Sequence, residues 1–156
     1  MLKNGIKDPV SALTHFIGLL ACIPCIFDLI FQASHQDAMT QVIGFAIFGL
    51  SLVLLYGAST IYHTLYVSEA KTILLRRIDH IMIFVLIAGT YTPICLVSLA
   101  GPCGWTMLAL IWILAIGGAV MKIFWIQAPR WLSTSLYIIM GWLAVIAFVP
   151  LQRAVS

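Results

Sequence analysis

From Ile81 to Met121 the sequence runs 41 residues without an Asp, Glu, Lys or Arg. Further charge-free runs of 31 residues, Ala38 to Ser68, and 22 residues, Trp131 to Gln152, lie on either side. A helix rises about 1.5 Å per residue, so about 20 apolar residues cross a hydrocarbon layer about 30 Å thick. A soluble core would need polar residues to cover it. Here 63% of the 156 residues are apolar, 8% are charged and the mean hydropathy is +1.11. That balance excludes a water-soluble globule and points to a membrane-embedded chain.

Lipid offers no partner to a backbone amide, and the runs lack the alternation of a membrane barrel, so the spans must be helices. Cutting the runs at charges, Gly and Pro predicts an all-α, polytopic transmembrane helix bundle in a single domain over residues 1–156, with five spans. These are Val10 to Phe31, Val42 to Tyr66, Ile78 to Ala100, Trp105 to Met121 and Leu132 to Leu151. Gly101-Pro102-Cys103-Gly104 is the tightest connector and makes the third and fourth spans an antiparallel hairpin. Small residues in the spans, such as Gly89 and Gly118, suit close helix packing.

The net charge of +3 is scattered in ones and twos, with no basic cluster that would suit nucleic acid. Lys3, Lys7, Lys71, Arg76, Arg77, Lys122 and Arg130 fall in alternate connectors and only Arg153 in the others. By the positive-inside rule this predicts a cytoplasmic N-terminus and Ser156 outside. Val10 to Phe31 is long for a signal-peptide core and lacks a small-residue cleavage site, so it reads as the first span. Cys22-Ile23-Pro24-Cys25 has redox spacing but no cation nearby to stabilise a thiolate, and the four cysteines suggest no disulfide framework. Pro24 and Pro93 are expected to kink their helices, with Thr90 and Thr92 taking up freed carbonyls.

Ionisable groups at membrane depth need a partner or a purpose. His15, His63, Asp79 and His80 are all expected within about 10 Å of one boundary, from their distance to the span ends at 1.5 Å per residue. Ser59 and His63, four residues apart, share one helix face. Asp79 would meet them if the second and third helices pack antiparallel across an eleven-residue loop, giving a Ser, His, Asp constellation. Imidazole and carboxylate suit zinc, and a carboxylate can accept a proton from a metal-bound water, but zinc hydrolysis takes about three protein ligands and His63 is the one strong candidate. The structural alternatives are an interfacial His63 bonded to Ser59 or a carbonyl, Asp79 paired with Arg76, and His15 and His80 bonded across helices. His35 and Asp37 read as solvated loop residues, and Asp28 as a boundary residue.

Thr14-His15-Phe16-Ile17-Gly18, Ala58-Ser59-Thr60-Ile61-Tyr62-His63, Asp79-His80, Ile87-Ala88-Gly89-Thr90-Tyr91-Thr92-Pro93 and Tyr137 with Met140-Gly141-Trp142 together resemble the hemolysin III family, the bacterial branch of the progestin and adipoQ receptor superfamily. The resemblance implies a seven-helix protein of a bacterial inner membrane with a cytoplasmic N-terminus and zinc near the inner face. By motif position His63 would be a metal ligand, Asp79 would act through a metal-bound water and Ser59 would line the site, with His15 and His80 as accessory residues. The family's usual Glu and Asn before the first-span histidine correspond to Asp8 and Ser11. The sequence ends before the family's last two helices and their His-x-x-x-His, which implies an incomplete metal site. The expectation is therefore a hemolysin III-like scaffold of a zinc-dependent lipid amide or ester hydrolase, with the bilayer and a lipid substrate as partners. A cytolytic pore, an oligomer and a membrane receptor stay open as alternatives.

Overall fold

In the computed structural model, residues 5–36, 38–99 and 101–155 are described, with side chains described up to Val145. Five long α-helices follow one another: α1 (Pro9–His35), α2 (Met39–Thr64), α3 (Glu69–Pro93), α4 (Pro102–Phe124) and α5 (Arg130–Val155), with a π-helical turn over Ile94–Ser98 after α3. Four of them, α1, α2, α3 with its π turn, and α4, are long and apolar enough to cross a membrane. The fifth expected span coincides with α5, which is not counted among these four.

Each helix starts before its expected span, most of all α3, and α1, α4 and α5 also run past its end, while α2 and the α3 segment stop two residues short of it. The eleven-residue loop expected before Ile78 is a four-residue connector, Leu65 to Ser68, and α3 begins at Glu69. The physical reason lies in the composition of Glu69 to Arg77, rich in good helix formers with an acid in the first turn. Charge marks where a helix leaves lipid, not where it stops. Asp79 and His80 consequently sit ten and eleven residues into α3.

Gly101 supplies the φ of +111° that the α3 to α4 hairpin turn requires, and Pro102 follows at the first helical position, where its missing N–H costs nothing. At the other side of that hairpin Pro93 cannot donate to a carbonyl one turn back. The chain continues through wider i to i+5 bonds, of which Leu99 N–H to the Ile94 carbonyl at 2.9 Å is one. Thr90 and Thr92 donate to the carbonyls of Leu86 (2.8 Å) and Ala88 (2.9 Å), and Trp112 Nε1 reaches across from α4 to donate to Thr92 Oγ1 at 3.2 Å.

Consecutive helices pack against one another, α1 on α2, α2 on α3 and α3 on α4, while α5 lies against α3, the π turn and α4. The buried core joins Phe84, Ala88, Tyr91, Cys95 and Leu99 to Met107, Ile111 and Ala115 of α4 and Met140 of α5. Spacings of three and four keep these side chains on one face of each helix. On α4 the same inward stripe runs Gly104, Met107, Ile111, Ala115, Gly118 and Lys122, all buried. A Cβ at Gly118 would overlap the Phe84 ring, and one at Gly89 would overlap the Ser51 side chain, so these two glycines mark close helix approaches. On α5, Tyr91 Oη lies within donating distance of the Met140 (2.7 Å) and Gly141 (2.9 Å) carbonyls, and Tyr137 Oη donates to the His80 carbonyl at 3.3 Å. In contrast, α1 turns Val10, Leu13, Ile17, Leu20, Phe27 and Phe31 outward, the stripe a bilayer would cover.

Candidate functional site

The site begins where α1 meets the end of α2. The last turn of any helix leaves carbonyls without intrahelical donors. Here the entry to α1 supplies donors: Asp8 N–H to the His63 carbonyl at 2.9 Å and Lys7 N–H to the Thr64 carbonyl at 3.3 Å. Lys7 Nζ donates to the Tyr62 carbonyl at 3.4 Å and lies 3.6 Å from the centre of the Tyr62 ring, so a cation caps the negative end of α2.

Asp8 stands at the N-cap of α1, yet its side chain does not cap that helix. Instead Asp8 Oδ2 lies 3.0 Å from His63 Nδ1. An ionised carboxylate only accepts, so Nδ1 must carry the proton and donate, which leaves the Nε2 lone pair of a neutral ring free. The His15 ring stacks on the His63 ring, with centroids 5.6 Å apart and planes 4° from parallel. The Tyr56 ring also neighbours His15, with centroids 6.0 Å apart and planes tilted by 47°.

Asp79 is buried, with 8% of its surface exposed, and its carboxylate is neighboured by His80, Ser59 and His63. Asp79 Oδ2 is 3.4 Å from His80 Nδ1, an ion-pair distance, while that buried nitrogen makes no hydrogen bond. Ser59 is also buried. The structure thus brings together all five expected residues, Ser59, His63, Asp79, His15 and His80, in one layer at the end of the bundle that holds Lys7.

The pairing inside the layer differs from the expected constellation. Ser59 was expected to orient His63 and instead neighbours Asp79; the partner that orients His63 is Asp8. The alternative pairing of Asp79 with Arg76 is not formed either. Asp8 is the residue that spacing could not find, since it lies 55 positions from His63. Its only sequence signal is its match to an acid of the resembled family.

Outside the layer, His35 is the last residue of α1 and packs edge-on against Phe31 at 4.3 Å, rather than lying in a loop. Asp28 accepts a hydrogen bond from Gln32 Nε2 at 2.7 Å. Asp37 lies outside the described residues. Cys22 is buried and Cys25 exposed, and all four cysteines are free. Among the described residues no three His, Cys, Asp or Glu side chains converge to hold a metal ion.

A family profile described as haemolysin-III related matches residues 4–156. The chain belongs to the haemolysin-III-related family. It is 44% identical over 153 residues to Hemolysin-3 of Bacillus cereus, a match covering 97% of this chain and 69% of that protein. It is 45% identical over 152 residues to the Hemolysin-3 homolog of Bacillus subtilis (strain 168), covering 97% and 71%. No solved structure matches. As a family member with four apolar helices of membrane-crossing length, it is a membrane protein.

Proposed function

We propose that this membrane protein is the scaffold of a zinc-dependent lipid amide or ester hydrolase, with its site in the layer of Ser59, His63 and Asp79 and with His15 and His80 as accessory residues. The observation that carries the reading is the Asp8 to His63 hydrogen bond at 3.0 Å. A carboxylate on one imidazole nitrogen fixes the tautomer and raises the basicity of the other, the arrangement that surrounds metal-ligating histidines. Asp79 adds a second carboxylate to the same layer, buried and 3.4 Å from His80 Nδ1, a group able to accept a proton there.

The donors on hand do not by themselves fit catalytic zinc, which takes three protein ligands and an open position. The chain's own contribution is to hold His63 in one tautomer, bury the Asp79 carboxylate against His80 and place both at one end of the bundle. Along the sequence seven of the eight basic residues flank the apolar runs on that side, which supports a cytoplasmic N-terminus in a bacterial inner membrane and a substrate drawn from the inner leaflet.

The test is zinc titration of the purified protein in detergent. Reversible binding that is lost in His63→Ala and kept in His35→Ala is the expected result; undiminished zinc binding by His63→Ala would overturn it.

The relatives' name, Hemolysin-3, favours a second reading, a cytolytic pore. A pore needs polar groups from face to face. The polar layer occupies one end of the bundle, so such a pore would form between copies rather than through one. Dye release from liposomes that rises steeply with protein density would support it, and intact liposomes at every density would remove it.

A further inference from the structure

Beside the histidine layer, between α3, α4 and the start of α5, lies a cavity of about 680 Å³. Arg76, Lys122 and Arg130 all line it, together with His80, Ser133 and Tyr137, and no acid does. Cations at a membrane boundary ordinarily extend into water or towards headgroups. Lys122 does not: it continues the inward stripe of α4 and is 3% exposed. Among the described residues no carboxylate lies within ion-pair distance of it, and its charged neighbour is Arg76. An unpaired buried cation next to a second cation is costly unless an anion joins them.

Two further features point the same way. The α5 N-terminus, at Arg130, opens onto the cavity through Ala128 and Pro129, presenting the positive end of a 26-residue helix. Ser133, in its first turn, is 5% exposed and its Oγ, which can donate, has no hydrogen-bond partner. Three cations, a helix N-terminus and an unsatisfied hydroxyl around one space form an anion cradle. Phosphate fits that donor set, because it offers several oxygens to donors arriving from different directions.

We propose that this cavity is a binding site for a phosphate group, held by Lys122, Arg76, Arg130 and Ser133, and supplied by the headgroup of an anionic phospholipid. Its position at the end of a membrane-crossing bundle puts it at headgroup depth. The proposal needs no metal and does not rest on the hydrolase reading.

The experiment is equilibrium binding of a fluorescent phosphatidylglycerol to the protein in phosphatidylcholine nanodiscs. Saturable binding is expected, weakened about tenfold by Lys122→Gln or Arg130→Gln, the loss of one charge-assisted contact. Lys71→Gln, which removes an exposed cation outside the cavity, should leave it unchanged. Inorganic phosphate is added as a competitor: displacement at low concentration makes free phosphate the source, and its failure to compete makes the lipid headgroup the source, the site standing in both cases. If Lys122→Gln does not fold, Arg130→Gln, exposed at the cavity mouth, decides. Absence of saturable binding, or equal weakening by Lys71→Gln, overturns the proposal.

Discussion

Two polar clusters share one end of this bundle and solve the same electrostatic problem in opposite ways. In the layer between α1, α2 and α3, each carboxylate has an imidazole beside it: Asp8 with His63 at 3.0 Å and Asp79 with His80 at 3.4 Å. In the cavity between α3, α4 and α5, Arg76, Lys122 and Arg130 gather with no acid among them. The first cluster finds its polar partners inside the fold, with Lys7 Nζ also 3.9 Å from Asp8, and gains orientation: one histidine tautomer is selected and a carboxylate is held in place. The second is balanced only by something that enters. A polar residue near a membrane boundary is thus informative less by its presence than by whether its charge is already answered within the fold.

Both clusters depend on the same packed helices, so the largest effect should come from breaking the frame they share. Gly118→Leu forces a side chain into the Phe84 ring, between α3 and α4, and should cost about 3 kcal/mol or more of stability, read as a collapse of the thermal unfolding temperature in detergent. Retention of wild-type stability would mean that α3 and α4 are not in close contact there.

Next, the two clusters should respond with opposite signs when a charge is deleted. Asp79→Ala removes a buried acid and leaves His80 without the carboxylate that lies 3.4 Å from its Nδ1, so a loss of about 2 kcal/mol is expected. Lys122→Met deletes an unanswered buried cation and keeps most of its volume, so in pure neutral detergent the protein should gain about 1 kcal/mol. Adding phosphatidylglycerol should stabilise the wild type and leave Lys122→Met behind. Destabilisation by both substitutions in neutral detergent would erase the contrast.

The smallest effect is expected at Asp8, whose side chain is 47% exposed. Asp8→Ala should cost only about 1 kcal/mol, as a half-exposed ion pair does, while removing the group that fixes the His63 tautomer. Its zinc binding should fall further than its stability. Equal losses in both would make the pair structural.

Much of this arrangement was legible in the sequence because lipid imposes strong rules. Charge-free length fixed the helices, Gly101-Pro102 fixed the hairpin, and depth counting placed His15, His63 and Asp79 together. What escaped was pairing at a distance. The sequence period puts Ser59 and His63 on one face, but a partner for His63 had to come from another helix, and Asp8 is 55 residues away. Charges misplaced the α2 to α3 boundary, since Lys71, Arg76 and Arg77 look like loop residues although they continue a helix. Lys122 read as a flanking charge; its register with Ile111, Ala115 and Gly118 was the signal that it points inward.

The central claim is that Asp8 holds His63 with the proton on Nδ1 and Nε2 free. It is tested most directly by nitrogen NMR of ¹⁵N-histidine-labelled protein in nanodiscs at alkaline pH, with His63→Ala to assign the signal. The account predicts a protonated Nδ1 and an unprotonated Nε2 on His63, with that preference lost in Asp8→Ala. A proton on Nε2 in the wild type, or a tautomer indifferent to Asp8, would contradict it.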